Sequence, residues 1–398
     1  MIEKNTWRKN LFFLCFSQFF YRAGSRSLLP FLPLFIKDLG ATNTAQTAIW
    51  SGWILAAPFI VSFFTTPFWG SIGDKIGRKF TAMLAITGFV IAQYSISAAS
   101  TLTFLLLASS LQEFFGGAYP AAVSLTAANS PKEKTADALG YLQFSNALGN
   151  IVGPIFGGFL ADAFGFRTVF FVVGTSVLLL SLPVLFFIKE GTIKKENHYH
   201  SILKNLTYFL NKKKLIGSAV LLLAFTLSIT IMRPSFTLFI QSNFSGVKNS
   251  ASTAGILLGI LGASSSISTL FLPWLNKKFT INKNVFVTFI SAGLLFLILP
   301  LPKNIQLFGL MIFLIGFFTG IILPLIYALM SDDTSNERKA GIMGVGSSFQ
   351  MIGNLVGPVS AGYIVSGLGL TFPFIISGVI LLLAIFIYYK LEVSYAKE

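Results

Sequence analysis

The sequence contains few of the residues from which enzyme sites and disulfide-stabilised folds are built. Its 398 residues include one cysteine, Cys15, and two histidines, His198 and His200. A single cysteine excludes a framework of internal disulfides, and two histidines in a lysine-rich connection are not expected to bind a metal ion. The sequence has no G-x-x-x-x-G-K-[ST] phosphate loop and no nucleophile paired with a base. We therefore expect no catalytic residue, no cofactor and no metal, and neither an ATP-driven pump nor an enzyme.

Charged residues are also scarce, at 11% of the chain, whereas hydrophobic residues make up 54%. The mean hydropathy of +0.76 is typical of a membrane protein. The net charge of +15 could suggest nucleic acid, but the basic residues are scattered between apolar runs. The excess of Lys and Arg in cytoplasmic loops of membrane proteins explains this pattern better. We expect a lipid bilayer as the environment and no nucleic-acid partner.

Long apolar runs are abundant. Twelve of them are long enough to cross roughly 30 Å of hydrocarbon, which predicts an all-α membrane protein with twelve transmembrane helices in two pseudo-symmetric six-helix bundles. The predicted spans lie near 10–37, 48–69, 80–98, 102–128, 138–160, 168–188, 215–240, 252–272, 285–301, 305–330, 340–364 and 371–390.

The two halves carry the same glycine and proline pattern 204 positions apart. At that offset Gly116 matches Gly320, Gly140 matches Gly344 and Gly165 matches Gly369, which indicates a duplicated chain. Glycines four residues apart leave one helix face almost free of side chains, so another helix can approach at backbone distance. A proline beside them bends the helix. The predicted hinge consists of Gly149, Gly153, Pro154, Gly353, Gly357 and Pro358.

The distribution of Lys and Arg predicts that both termini are cytoplasmic. We expect an N-terminal six-helix bundle over 1–188, a cytoplasmic linker over 189–214 and a C-terminal bundle with a tail over 215–398. Part of the linker is amphipathic and is predicted to form a helix along the membrane surface. Its apolar positions are Ile202, Leu203, Leu206, Phe209 and Leu210.

The connection after the second span reads Gly70-Ser-Ile-Gly73-Asp74-Lys75-Ile-Gly77-Arg78-Lys79. Its glycines permit a tight turn. Asp74 can accept hydrogen bonds from a neighbouring helix N-terminus, and Arg78 can pair with a carboxylate. These residues predict a gating loop that closes the cytoplasmic side, and the alternative is an ordinary basic cytoplasmic loop.

This connection resembles the signature between helices two and three of the major facilitator superfamily. The stretch 149–158 resembles its antiporter motif, and Pro67-Phe-Trp-Gly70, Phe31-Leu-Pro-Leu-Phe35 and Leu160-Ala-Asp162-x-x-Gly165-x-Arg167 are similar to the twelve-helix drug:proton antiporter branch (MdtG/TetA-like). The resemblance covers essentially the whole chain. It implies a monomeric, proton-coupled exporter of small molecules in a bacterial-type cytoplasmic (inner) membrane, working by alternating access.

The sequence also departs from that branch. An arginine common early in the fourth helix is replaced by Ser109, and the span carries Gln112 and Glu113 instead. Glu113 is the one carboxylate predicted deep in the membrane, where an ionisable residue indicates function. We expect Glu113 and Arg22 to couple protons, although a buried structural pair is the alternative.

The predicted substrate-binding residues all have polar side chains, and they recur at helical spacing within the predicted spans. Arg26 and Arg233 could alternatively extend to the membrane surface. The set is Gln18, Arg22, Arg26, Gln112, Glu113, Tyr119, Gln143, Asn146, Arg233, Gln350 and Asn354.

Two substrate classes remain open at this stage. A cationic or neutral drug would be held by Glu113 and phenylalanines and exported. An anionic metabolite, such as a polycarboxylate siderophore or an organic phosphate, would be held by Arg22, Arg26 and Arg233. A membrane sensor that does not transport is a further alternative.

Overall fold

The computed structural model describes residues 6–188, 202–332, 334–335 and 338–395, with their side chains except at 67, 70–74, 132, 184, 202–204, 340 and 392–395. The described residues form helices and no strand. In lipid, every backbone N–H and C=O must be satisfied within the protein, so long apolar runs fold as helices. Their outward side chains are large and apolar, for example Phe64, Leu270 and Phe386, which are exposed and suited to lipid contact.

The first half of the described chain forms nine α-helices, and a π-helical turn at Val177–Ser181 joins the last two of them. They are α1 (Thr6–Arg26), α2 (Leu32–Asp38), α3 (Thr44–Ile76), α4 (Arg78–Ser97), α5 (Leu102–Phe114), α6 (Ala118–Asn129), α7 (Thr135–Phe164), α8 (Phe166–Ser176) and α9 (Leu182–Phe186).

The second half forms nine more within its described residues. They are α10 (Ile202–Leu210), α11 (Lys213–Asn243), α12 (Ser250–Leu270), α13 (Leu272–Lys278), α14 (Ile281–Ile298), α15 (Ile305–Gly320), α16 (Ile322–Asp332), α17 (Lys339–Leu368) and α18 (Phe372–Tyr395).

Helix covers all twelve predicted spans, and nine helices in the described ranges are long and apolar enough to cross a membrane. The prediction was wrong about continuity in four runs. The run 10–37 is divided between α1 and α2, and Pro33 lies in the first turn of the second helix. The run 102–128 is divided at 115–117, the run 305–330 at Ile321, and the run 168–188 contains the π-helical turn. Apolar composition does not reveal these interruptions, because side chains on both sides of each break remain apolar.

The repeat is visible in the helices themselves. The 30-residue helices α7 and α17 begin and end 204 positions apart. Each is followed by a glycine with positive φ, Gly165 at 84° and Gly369 at 100°. A residue with a Cβ would be strained in that conformation, which explains why each helix is followed by a glycine.

The predicted glycine faces make close helix contacts. A Cβ added at Gly149 would lie 2.8 Å from the Cβ of Arg22, and one at Gly153 would lie 3.0 Å from the Cα of Ala23, both on α1. In the second half, Gly353 and Gly357 face Thr226 and Thr230 of α11 in the same way. These contacts confirm the backbone-distance packing predicted for the glycines, while their role as a hinge stays a prediction.

The described residues divide into two compact units. The first consists of the described parts of Met1–Thr42, Trp53–Lys195 and Val247–Gly259, and the second of those of Asn43–Gly52, Glu196–Gly246 and Ile260–Glu398. Each unit therefore contains helices of one half of the chain and the beginning of one helix from the other half, α12 in the first unit and α3 in the second.

The linker helix is present as α10, although His198 and His200 lie outside the described residues. Its Phe209 is fully buried and its ring stacks on Phe349 of α17, with centroids 5.8 Å apart. Leu206 and Leu210 are exposed. One side of α10 is thus attached to the second unit, and its exposed leucines are available to the membrane surface.

Candidate functional site

Glu113 lies at the point where the fourth span is interrupted. α5 ends at Phe114, and the amide of Gly116 donates to the Glu113 carbonyl at 3.0 Å instead of continuing the α-helical pattern. The carbonyl of Phe114 accepts a hydrogen bond from the indole Nε1 of Trp69 at 2.5 Å. Because carbonyls at a helix end have no partner within the helix, the Trp69 donor compensates for the interruption.

Aromatic side chains surround this interruption within the first unit. The ring of Phe115 lies directly against Gly88 of α4, where a Cβ would clash with it. Trp69 packs on the rings of Phe114 and Phe115, with centroids 6.4 and 5.9 Å apart. The Gly116–Gly117 pair permits the change of direction, and these aromatic contacts fix its position.

Two arginines of α1 act on Glu113. Arg26 and Arg22 both lie within electrostatic range of the Glu113 carboxyl group. No ion pair joins Glu113 to Arg22 in the part of the chain that the structure describes. Arg26 Nε donates to Asn150 Oδ1 of α7 at 3.2 Å. The predicted proton-coupling pair is therefore a cluster of three charges, with Arg26 held by α7.

The predicted polar residues of the first unit form hydrogen bonds with their neighbours. Tyr119 donates from its hydroxyl to Gln143 Oε1 at 2.6 Å. Gln18 donates from Nε2 to the carbonyl of Ala118 at 3.4 Å, next to the interruption. Gln112 accepts from Gln93 Nε2 of α4 at 3.2 Å.

Several buried polar atoms of these helices have no hydrogen-bond partner among the described residues. Buried polar groups are almost always satisfied, by protein, water or ligand. Their concentration on α1, α4, α5 and α7 therefore marks a region that can bind polar groups. The atoms are Gln18 Oε1, Arg22 Nε, Gln93 Oε1, Ser109 Oγ and Asn146 Oδ1.

In the second unit, Arg233 lies one residue before Pro234 in α11 and is partly buried. Within the described residues, no hydrogen bond or ion pair involves its side chain. Gln350 of α17 is also predicted for the site, and its buried Nε2 has no partner there. Asn354 follows one turn later and is half-buried. Both α11 and α17 thus carry polar groups with free hydrogen-bonding capacity.

Most of the predicted gating loop is helical, and the tight turn expected from its glycines is shorter than the loop. α3 continues to Ile76, and the turn is limited to Gly77, whose φ is 94°. The side chain of Asp74 lies outside the described residues, so the gating role of Gly70, Gly73 and Asp74 stays a prediction. Arg78 donates from Nη1 to the Ser124 carbonyl of α6 at 3.4 Å, a partner that the sequence did not indicate.

Three further residues belong to this region and were not identified from the sequence. Trp69 caps the broken helix, Gln93 bonds Gln112, and the buried Tyr21 lies close enough to Glu113 to be influenced by its charge. The one available signal was that Tyr21 lies three residues after Gln18, on the same helix face. Among the described residues, no three His, Cys, Asp or Glu side chains lie together as metal ligands.

The sequence matches the family model of the Major Facilitator Superfamily over residues 14–344 and 283–398. It is 29% identical over 385 residues to the multidrug resistance protein MdtG of Citrobacter koseri, covering 96% of this chain and 94% of that protein. MdtG of Escherichia coli is 28% identical over 383 residues, with 96% and 94% covered.

Solved structures share the fold at lower identity. An inward-facing bacterial homologue of the lysosomal transporter Spinster matches with a TM-score of 0.80 and 16% identity, over 99% of this chain and 98% of that one. The nucleoside transporter NupG matches with a TM-score of 0.81 and 15% identity, over 96% and 99%.

Proposed function

Because the chain belongs to the major facilitator superfamily, we propose that it is a proton-coupled secondary transporter that exports small organic molecules, as multidrug exporters do. The relatives named multidrug resistance protein cover nearly its whole length, which supports this substrate class. We further propose a bacterial inner-membrane location and a monomeric transporter. The distribution of basic residues supports cytoplasmic termini.

The observation that carries the proposal is the position of Glu113. Among the described residues it is the only carboxylate in the middle of a membrane segment, and it lies at a helix interruption with Arg22 and Arg26 nearby. Placing a carboxylate inside the membrane costs free energy, so its presence there indicates a function. It can bind a proton inside the membrane.

The cluster supports coupling by competition. With Glu113 ionised, the cluster of one carboxylate and two guanidinium groups carries a net charge of +1, and with Glu113 protonated it carries +2. A cationic substrate that contacts Glu113 is therefore repelled when a proton binds, so that proton entry and substrate release exclude each other. Such competition produces exchange of protons for a cation, and an acidic exterior then drives export.

The same charges favour a second candidate, an anionic substrate. Arg22 Nε has no partner among the described residues and can therefore donate a hydrogen bond to an anion. In this case protonation of Glu113 removes a repulsion and strengthens binding of the anion. Proton and substrate then move in the same direction, and an acidic exterior drives uptake.

The sign of the response to a pH gradient separates the two candidates. The protein is reconstituted in proteoliposomes, an acidic exterior is imposed, and movement of radiolabelled tetraphenylphosphonium is compared with that of citrate. Expulsion of the cation supports the proposed exporter, whereas accumulation of citrate supports the second candidate. Absence of gradient-driven movement of either probe, with the protein correctly folded and inserted, contradicts both.

The Glu113→Gln variant tests the proton site itself. It should abolish movement driven by the pH gradient and retain exchange of labelled for unlabelled substrate, because exchange needs no net proton transfer. Asp38→Asn is the matched control, since it removes an exposed carboxylate at the end of α2. Gradient-driven transport by Glu113→Gln at the wild-type rate would eliminate Glu113 as the proton carrier.

A further inference from the structure

A long groove runs along α1 and α7 within the first unit, separate from the residues of the candidate site. Its volume is about 820 Å³, within the usual range for ligand sites. The lining extends along α1 from Trp7 to Phe20 and along α7 from Asp137 to Leu148. At 1.5 Å per residue, the α1 side is about 20 Å long. We call it the α1–α7 groove.

The α1–α7 groove is polar at one end and apolar along the rest. The charged lining residues Arg8, Lys134 and Asp137 all lie at the end nearest the chain's N-terminus. Deeper in the groove the walls are mainly phenylalanine, and the Ser145 hydroxyl there already donates to the Cys15 carbonyl. A compact polar molecule would find few hydrogen-bond partners in this part, whereas a hydrocarbon chain needs none.

The charged end has an excess of positive charge. Lys134 Nζ and Asp137 Oδ2 are 3.2 Å apart and neutralise each other. Arg8 lies over the ring of Trp7, 5.6 Å from its centroid, and keeps its full charge. Tryptophan is enriched at the boundary between hydrocarbon and headgroups, and arginine side chains near helix ends extend to it. The groove therefore begins at that boundary with a net charge of +1.

We propose that the α1–α7 groove binds an anionic membrane lipid, with its headgroup at Arg8 and an acyl chain along the phenylalanines. The length agrees with this occupant, because half of a bilayer's hydrocarbon core is about 15 Å thick. Phe12 and Phe144 are about 60% exposed, at 63% and 62%, so the groove is open for a chain to enter from the side. The cytoplasmic leaflet is the source, given the cytoplasmic N-terminus proposed above.

The test uses the full-length protein in detergent, titrated with phosphatidylglycerol or phosphatidylcholine of identical acyl chains, and native mass spectrometry measures the bound lipid. Wild type should prefer phosphatidylglycerol. Arg8→Gln should weaken that lipid about fivefold, the effect of one basic residue near a membrane surface. Lys9→Gln is the matched control, because Lys9 has the same charge and is exposed on the same turn but does not line the groove. An equal loss of phosphatidylglycerol affinity in both variants would show that only the general surface charge matters, and would contradict the proposed site.

The acyl chain is tested separately. Phe144→Gln should weaken both lipids, while Phe171→Gln, at a similarly exposed phenylalanine outside the groove, should leave them unchanged. Inorganic phosphate should not displace bound phosphatidylglycerol, since it supplies no chain. Displacement by phosphate, or indifference to Phe144→Gln, would show that the groove does not hold the lipid. The lipid experiment measures binding and not transport. Its result therefore does not depend on the outcome of the transport assays.

Discussion

The carboxylate of Asp162 holds the first turn of α12 through Ser252. Its Oδ2 accepts hydrogen bonds from the Ser252 backbone amide at 2.6 Å and from the Ser252 hydroxyl at 2.5 Å. Asp162 lies in the last turn of α7, where a negative charge is unfavourable for its own helix, and the contact places it at the positive end of another helix. Beside it, Gly158 packs against the backbone of Ala251.

The repeat has the same packing without the carboxylate. In the second unit, Gly362 packs against Ala48 and Ile49 of α3, as Gly158 packs against Ala251 and Ser252. Ser366 stands at the position equivalent to Asp162. The duplicated glycine contact is therefore strengthened by a charge in one unit only.

Asp162→Ala should destabilise the protein by about 1 to 2 kcal/mol, because it removes a cap from α12 and two charge-assisted hydrogen bonds. Thermal unfolding in detergent measures the change. Asp137→Ala removes an exposed carboxylate from the other end of α7 and should change the melting temperature little. Equal melting temperatures for the two variants would show that the Asp162 contact contributes nothing.

Glycine substitutions should have effects that depend on helix contacts. Gly153→Leu and Gly357→Leu should abolish transport, since each inserts a side chain where neighbouring helices already touch. Gly140→Ala and Gly344→Ala are controls on the same two helices, because a Cβ there meets nothing within 4 Å. Transport should be measured at matched protein levels in membranes. Normal transport by Gly153→Leu would contradict the packing described for α1 and α7.

The three charges of the first unit should be energetically coupled. Removal of Arg26 takes an attractive charge from Glu113 when Glu113 is present, but it relieves repulsion with Arg22 when Glu113 has already been removed. The double variant Glu113→Gln/Arg26→Gln should therefore melt at a higher temperature than the sum of the single effects predicts. A double-mutant cycle on melting temperature, repeated with Arg22→Gln, measures each coupling. Strict additivity in both cycles would show that the cluster is not coupled.

Trp69→Phe should lower the free energy of unfolding by about 1 kcal/mol, because it removes the indole donor to the Phe114 carbonyl. The substitution keeps an aromatic ring at this position. Transport should slow as well, since the helix end beside Glu113 loses its partner. Trp53→Phe is the control on the same helix, at a residue that is 38% exposed. The same melting temperature and rate in both variants would exclude a specific role of the Trp69 hydrogen bond.

Asp74→Asn should strongly reduce transport while leaving expression and folding intact, as expected for a residue that stabilises only one access state. Asp38→Asn, at an exposed aspartate at the end of α2, is the control. Transport assays at equal protein levels decide the matter. Normal transport by Asp74→Asn would contradict the gating role. The connection would then be an ordinary basic cytoplasmic loop.

The sequence by itself determined the duplicated helical fold. Long apolar runs in lipid have to form helices because backbone groups cannot remain unpaired there, and glycines four residues apart already specify a close-packed face. The predicted spans 138–160 and 340–364 accordingly fall inside α7 and α17.

Only the tertiary structure decided where helices break and which charges meet. The interruption after Glu113 depends on the donor from Trp69 and on Phe115 against Gly88, residues that are distant in sequence. The bond between Arg26 and Asn150 and the cap of Asp162 on Ser252 span 124 and 90 positions. Hydropathy and spacing place a residue along its own helix, whereas such contacts depend on the rotation and offset of two helices, which are set by packing throughout the unit.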